Sequence, residues 1–339
     1  VSKELKRVID EYKILEILPS SGAAFIIANV ESHEPISSSK HGIVSKITTL
    51  GNNDDYAYIT TNGVIEASFV DFPDDYRAKG YDTSIFCIYT TENFTHLVVK
   101  IRGDIHILRN DDTSYILSRG ILGYPKKALP RSNGLFVLTE DGLIFLFKER
   151  KTPYIRVLLG KYTGLVKDFA LVDKSTLLLL IAHNGGNFLR LRREEGNQVI
   201  WNMIETEIPP VKVFSNGKYV AYLDDNRGLF MGIYNEVRHT VIFTRILNVP
   251  PISNVVFSGP KDTSTVIALS VSGEVFTNGF YIDDEEGVWE FFPPSTDKPY
   301  DKNYMFEFEI ADGINESLGK ILDIDANEGG DVYVIADIT

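Results

Sequence analysis

The stretch Leu135-Phe136-Val137-Leu138-Thr139-Glu140-Asp141-Gly142-Leu143-Ile144-Phe145 reads as two short apolar strands around a tight turn. Asp141-Gly142 supplies the positive φ angles that a close hairpin needs, and Leu, Phe, Val and Ile on either side suit a pleated, buried sheet. A polar turn, Arg131-Ser132-Asn133-Gly134, precedes it. Turns of the same kind recur about every 41 residues: Gly51-Asn52-Asn53-Asp54, Thr91-Glu92-Asn93, Asp173-Lys174-Ser175, Ser215-Asn216-Gly217, Gly259-Pro260-Lys261-Asp262 and Asn327-Glu328-Gly329-Gly330. A period of that length with strand-forming residues and no clear helix predicts a repeat architecture built from sheets.

Set in register, each repeat supplies four short strands, A to D. The fourth repeat reads Val166–Leu171, Thr176–Ala182, Asn187–Arg192 and Val199–Ile204. The run Leu177–Ile181 is apolar without alternation, as a strand covered on both faces should be, whereas Arg190-Leu191-Arg192 alternates like a half-exposed strand. The sixth repeat reads Ser253–Phe257, Thr265–Ser270, Glu274–Phe280 and Val288–Phe292; the first leaves its D strand near Arg77–Tyr81. The last repeat has A at Ile321–Asp325 and B at Val332–Ile338 and then stops. Two extended segments near the start, Tyr12–Leu18 and Ala23–Val30, are expected to complete it, followed by a Ser-rich polar loop over Glu31–His41. A final sheet shared by both chain ends removes exposed sheet edges.

Six repeats plus one built from both ends resemble a seven-bladed β-propeller of the WD-repeat-like kind, with four-stranded antiparallel blades. Leu135–Phe145 and Ile267–Phe276 also resemble hairpins of chromosome-condensation-regulator propellers. The resemblance lies in period and pattern: no third strand ends in Trp-Asp, and no Gly-His pair precedes a first strand. It implies a single all-β domain over residues 1–339, with strands from residues 12–30 completing the last blade.

The chain has 339 residues, a net charge of −13 and 12% aromatic residues. Such an acidic chain repels phosphate backbones, which disfavours nucleic acid as a partner. The one cysteine, Cys87, sits in an apolar strand and reads as a small core residue; without a disulfide partner it points towards a reducing, cytoplasmic or nuclear compartment. No apolar run reaches the length of a membrane span or of a signal-peptide core, so a soluble protein is expected. Val1 in place of an initiator methionine points to a processed or trimmed chain.

No residue spacing matches a zinc, calcium, phosphate-loop or nucleophile-elbow motif, so no metal, cofactor or catalytic residue is assigned. Partner binding is expected instead. Pro293–Ser317 breaks the period as an insertion carrying Tyr300, Tyr304, Phe306 and Phe308, and a loop of that length within a compact fold is usually functional. The acidic run Asp283, Asp284, Glu285 and Glu286 is a candidate contact for a basic protein surface, with a solvated turn as the plain alternative. The turns around His183 and Asn184, read as a wide hairpin, and around Asp224 and Asp225, read as a solvated turn, are candidate ligand contacts on the face near the propeller axis. The function expected is a non-enzymatic protein-interaction or structural scaffold. Alternatives are a viral or assembly structural protein, a virion component included, and a hydrolase or lyase with a site at the channel mouth. A carbohydrate-binding propeller ranks last, because the aromatics do not recur at one repeat position.

Overall fold

A computed structural model describes residues 25–29, 34–38, 44–50, 55–60, 63–69, 83–91, 93–117, 123–131, 134–148, 155–156, 164–278, 281–283, 288–290 and 308–337. In chain order the strands are β1 (Phe25–Asn29), β2 (Glu34–Ser38), β3 (Val44–Leu50), β4 (Asp55–Thr60) and β5 (Ile65–Ala67). They continue with β6 (Thr83–Thr90), β7 (Thr95–Ile101), β8 (Asp104–Arg109), β9 (Ser114–Leu117), β10 (Pro125–Arg131), β11 (Gly134–Thr139), β12 (Ile144–Lys148) and β13 (Ile155–Arg156). Next come β14 (Leu165–Leu171), β15 (Thr176–His183), β16 (Gly186–Glu195), β17 (Gln198–Ile204), β18 (Lys212–Ser215), β19 (Tyr219–Leu223), β20 (Leu229–Asn235) and β21 (Thr240–Arg245). The last are β22 (Ile252–Ser258), β23 (Thr265–Ser270), β24 (Val275–Thr277), β25 (Tyr281–Asp283), β26 (Val288–Glu290), β27 (Glu309–Ile310), helix α1 (Asp312–Leu318), β28 (Lys320–Ala326) and β29 (Val332–Asp337).

The fold is an all-β propeller with antiparallel four-stranded blades. Six four-stranded sheets are described, with a three-stranded sheet β3-β4-β5 and a separate hairpin β25-β26. The chain divides into two compact units, Val1–Ile88 with Asn248–Thr339, and Tyr89–Leu247. Both chain ends share the sheet β2-β1-β29-β28, as expected. Its C strand, β1, lies within the predicted Ala23–Val30. Its D strand is β2, inside the segment read as a loop, while Tyr12–Leu18 lies outside the described residues. Pro35 hid β2 from propensity reasoning; β2 sits at a sheet edge, where a strand tolerates proline. The sixth repeat also departs from expectation. Val288–Glu290 is a strand, but it pairs with Tyr281–Asp283 in its own hairpin, and the D strand beside β24 is the short β27. The insertion therefore lies between the C and D strands.

Within each unit, neighbouring sheets pack face to face. Leu178 and Leu180 of β15 join Val213, Val220 and Tyr222 of the next sheet in one cluster. Leu177, Leu179 and Ile181 of the same strand join Phe136, Leu138 and Ile144 of the preceding sheet in another. The unalternating apolar run is thus covered on both faces. In the other unit, Ile314 and Leu318 of α1, one turn apart, and the N-cap residue Ala311 join a cluster holding Leu269, Ile324 and Val334. This seven-residue helix was not anticipated from the sequence.

One local design closes four of the B–C turns. A side-chain oxygen at the first residue accepts the backbone N–H four residues on: Thr60 from Val64 (3.1 Å), Thr139 from Leu143 (3.3 Å), Asp224 from Gly228 (2.8 Å) and Ser270 from Glu274 (2.9 Å). The residue three places on adopts a positive φ: Gly63 at 77°, Gly142 at 73°, Arg227 at 65° and Gly273 at 95°. Arg227 occupies a slot its three counterparts give to glycine, so Arg227→Gly is expected to stabilise the protein by roughly 0.5–1 kcal/mol, read as a raised urea midpoint. At Gly273 a Cβ would come within 2.8 Å of the Ile321 carbonyl oxygen and 2.5 Å of Lys320 Cγ on β28. Gly273→Ala should therefore cost about 2–3 kcal/mol in a denaturant titration. Gly185→Ala, at φ 79° with nothing within 4 Å of the added atom, should cost less than half as much.

Candidate interaction faces

A β-bulge interrupts the A strand in five sheets, and each bulge re-aims the side chain just past it. The bulges fall at Val44/Lys46, Pro125/Lys127, Val166/Asp168, Ile252/Asn254 and Ile321/Asp323. In every case the re-aimed side chain bonds the backbone of the next A strand. In unit Tyr89–Leu247, Lys127 Nζ donates to the Phe169 carbonyl (2.8 Å), and Asp168 Oδ2 accepts from Val213 N–H (3.0 Å). In the other unit, Asn254 Nδ2 donates to the Ile324 carbonyl (3.2 Å), Asp323 Oδ2 accepts from Ile47 N–H (3.0 Å), and Lys46 Nζ donates to the Ile85 carbonyl (2.7 Å). Edge-strand groups that would otherwise lack a partner are satisfied, and consecutive sheets are fixed in register.

Asp168 makes further bonds. Its Oδ1 also accepts Lys127 Nζ (2.8 Å) and Phe169 N–H (2.9 Å). Asp325, two residues from Asp323 on the same strand, accepts Thr49 N–H at 2.8 Å. Burial, with the neighbouring Asp323 carboxylate adding to it, pushes Asp325 up to about 7 against the opposing hydrogen bond from Thr49. Cys87 is buried as expected, and burial raises its thiol to about 12, which suits a packing residue rather than a nucleophile.

Arg192 departs from the half-exposed position expected of it: it is buried, as is its neighbour Arg193, with Arg192 paired to Glu194 at 2.8 Å and Arg193 paired to Glu195. Arg193 Nη1 also meets His239 Nε2 at 2.7 Å, and His239 Nδ1 lies 2.8 Å from the Tyr234 hydroxyl. A guanidinium can only donate, so Nε2 accepts and Nδ1 carries the proton towards Tyr234. This relay joins β16 to the β20–β21 turn. It is an internal fastening with the same character as the bulge bonds.

The turn residues singled out from sequence fare differently. His183 and Asn184 are exposed, and Asn184-Gly185, at φ 49° and 79°, form a tight two-residue turn with His183 opposite Gly186, not a wide one. Asp224 is buried rather than solvated. Its Oδ1 accepts the N–H groups of Asn226 (2.9 Å) and Gly228 (2.8 Å), which holds the turn, while Asp225 is exposed. Phe308 is 2% exposed and its carbonyl accepts a bond from Asn248, so its ring is not on the surface. Asp283 ends β25; Asp284, Glu285, Glu286, Tyr300, Tyr304 and Phe306 lie outside the described residues.

The described residues expose several large apolar side chains at strand starts and turns, among them Tyr124, Leu165, Val211, Val237 and Val271. These positions carry no sequence signature. An apolar residue before a strand reads as core, and only the register set by the bulge bonds shows which are left outside. Among the described residues, no group of three or more His, Cys, Asp or Glu is placed to hold a metal ion, and no helix is long and apolar enough to cross a membrane.

Comparison with known proteins places the fold. No protein-family model matches the chain, and no curated protein sequence does. Solved structures do match. Human WBSCR16 superposes with a TM-score of 0.58 at 10% identity, over 93% of this chain and 98% of that one. The β-propeller domain of Myceliophteria thermophila Cps50 (Swd1) gives 0.57 at 9% identity, over 91% and 99%. Prp20p from Saccharomyces cerevisiae, described with its binding to Gsp1p and histones, gives 0.54 at 9% identity, over 99% and 94%. At such identities the likeness is one of fold.

Proposed function

We propose that this chain is a non-enzymatic interaction scaffold, a seven-bladed propeller whose loop faces dock other proteins in the cytoplasm or nucleus. The observation that carries the reading is how its buried ionisable groups are used. Among the described residues, Asp168, Asp224, Arg193 and the half-buried Asp323 and Asp325 hold backbone amides or neighbouring side chains in place. Catalytic groups would be poised at a surface or cleft instead. Large apolar side chains stand outside on turns and strand starts, the usual material of protein contacts. The three-stranded sheet β3-β4-β5 is the seventh blade in this reading; the segment expected to supply its D strand, near Arg77–Tyr81, lies outside the described residues. Prp20p, a fold neighbour, binds other proteins by its description, which supports the class of function without naming a partner here.

The insertion between β24 and β27 is the element proposed to dock a partner with a basic surface, through the carboxylates of Asp283–Glu286 and the aromatics Tyr300, Tyr304 and Phe306. Deleting residues 293–307 spares the buried Phe308, the D strand β27, and α1 with its core residues Ile314 and Leu318. Cross-linked affinity purification from cells should recover defined protein partners with the full chain, and the deletion should lower at least one of them about tenfold or more. Unchanged recovery would remove the insertion from the account. Absence of any cross-linked partner with the full chain would remove the scaffold reading itself.

A further inference from the structure

Within unit Tyr89–Leu247, three successive A strands begin with an exposed apolar residue followed by a lysine, two places on in the first two and directly after in the third. β10 is preceded by Tyr124, 53% exposed, and carries exposed Lys126. β14 begins at Leu165, 37% exposed, and carries exposed Lys167. β18 is preceded by Val211, 37% exposed, and begins with half-buried Lys212. The bulge bonds set these positions level with one another: Lys127 reaches Phe169, Asp168 reaches Val213, and Lys126 Nζ donates to the Lys167 carbonyl at 2.5 Å. Apolar and cationic groups therefore alternate along one row across three sheets.

We infer that this row of Tyr124, Lys126, Leu165, Lys167, Val211 and Lys212 docks an acidic segment of a partner protein that also carries apolar residues. The inference rests on the scaffold reading and adds a location and a partner chemistry to it. The chain carries −13 overall, yet the row is cationic, because its one carboxylate, Asp168, is neutralised by Lys127 and held by backbone amides. The A strand that starts the sixth repeat in the other unit has no such cation: Pro251, Ile252, Ser253 and Asn254 stand there.

The bordering B–C turns expose Glu140, Asp141 and Asp225. Those carboxylates would repel an acidic segment that strayed outwards, so they confine it to the row. They also argue against nucleic acid, which wants a broad, dense cationic groove with several stacking aromatics, whereas the row has three lysines and one tyrosine. Leu165 is well held for a contact residue, since it packs over Gly142, where an added Cβ would lie 2.4 Å from its Cδ1.

The test uses the full chain as bait for a displayed library of short random peptides. Selected peptides are then titrated by fluorescence anisotropy against wild type, Lys126→Glu/Lys167→Glu, Lys167→Glu alone, and Val237→Ser on the β20–β21 turn. The single substitution leaves the Lys126 bond in place, and thermal unfolding of each variant separates loss of fold from loss of binding. The expected result is enrichment of peptides interleaving Asp or Glu with Leu, Ile, Val or Phe. Binding should weaken with added salt, fall about tenfold or more in the double variant and severalfold in the single one, and persist in Val237→Ser. Enrichment of neutral or basic peptides, no enrichment, or equal binding by the folded double variant would overturn the inference. So would a single-stranded oligonucleotide or phosphatidylserine vesicles binding through these lysines in place of peptides. Peptides of another chemistry binding elsewhere would leave the scaffold reading standing without this row.

Discussion

Asp168→Ala is expected to lower the free energy of unfolding by about 3–5 kcal/mol. The carboxylate ties three strands together, accepting Lys127 Nζ from β10 (2.8 Å), Phe169 N–H within β14 (2.9 Å) and Val213 N–H from β18 (3.0 Å). Truncation leaves the Lys127 ammonium without its counter-charge and two amides without an acceptor, each worth roughly 1–3 kcal/mol when buried. Asp168→Asn keeps an acceptor and loses the charge, so about half that loss is expected. Urea titrations check both, and the slope should stay constant because the area exposed on unfolding does not change. A near-wild-type midpoint for the alanine variant would mean that the inter-strand bond adds nothing to stability.

The second large effect depends on pH. Burial and the Asp323 carboxylate raise Asp325 to about 7, against an ordinary 3.8 in the unfolded chain. Between those values the native state keeps a proton that the unfolded state releases. Its contribution is thus fully present below about pH 4, declines as pH rises towards 7, and is lost above it. Asn at this position still accepts the Thr49 N–H and cannot ionise. Asp325→Asn should match wild type near pH 4 and exceed it at pH 8, by at most about 4 kcal/mol. Stability measured across that range decides the point: parallel curves for the two proteins would show that Asp325 ionises in the native state as it does in water.

The strands were largely legible because their cause is local. Thr176–Ala182 announces a doubly covered strand by composition alone, and Asp141-Gly142 announces its turn. What escaped reading depends on tertiary register. Val288-Trp289-Glu290 has strand-forming residues and is a strand, but its partner is β25, which no pattern discloses. Asp168, Lys127 and Asp323 look like ordinary charged residues; only the bulge beside each turns them onto the next sheet. Asp224 reads as a solvated turn residue because four residues of sequence do not reveal that its oxygen is turned inward to Gly228 N–H. The apolar and cationic row was invisible for the same reason. Tyr124-x-Lys126 and Leu165-x-Lys167 become one surface only when the bulge bonds align their strands.

Amide hydrogen exchange on the full chain shows directly whether side chains at and just beyond the A-strand bulges take the place of a missing strand neighbour. Ile47, Thr49 and Val213 lie on the edge strands β3 and β18, and their amides are bonded to Asp323, Asp325 and Asp168. Protection of all three should approach that of central-strand amides such as Ala221, with Val213 alone losing it in the Asp168→Ala protein. Exchange of all three at the rate of open sheet-edge amides, unaltered by the substitution, would contradict it.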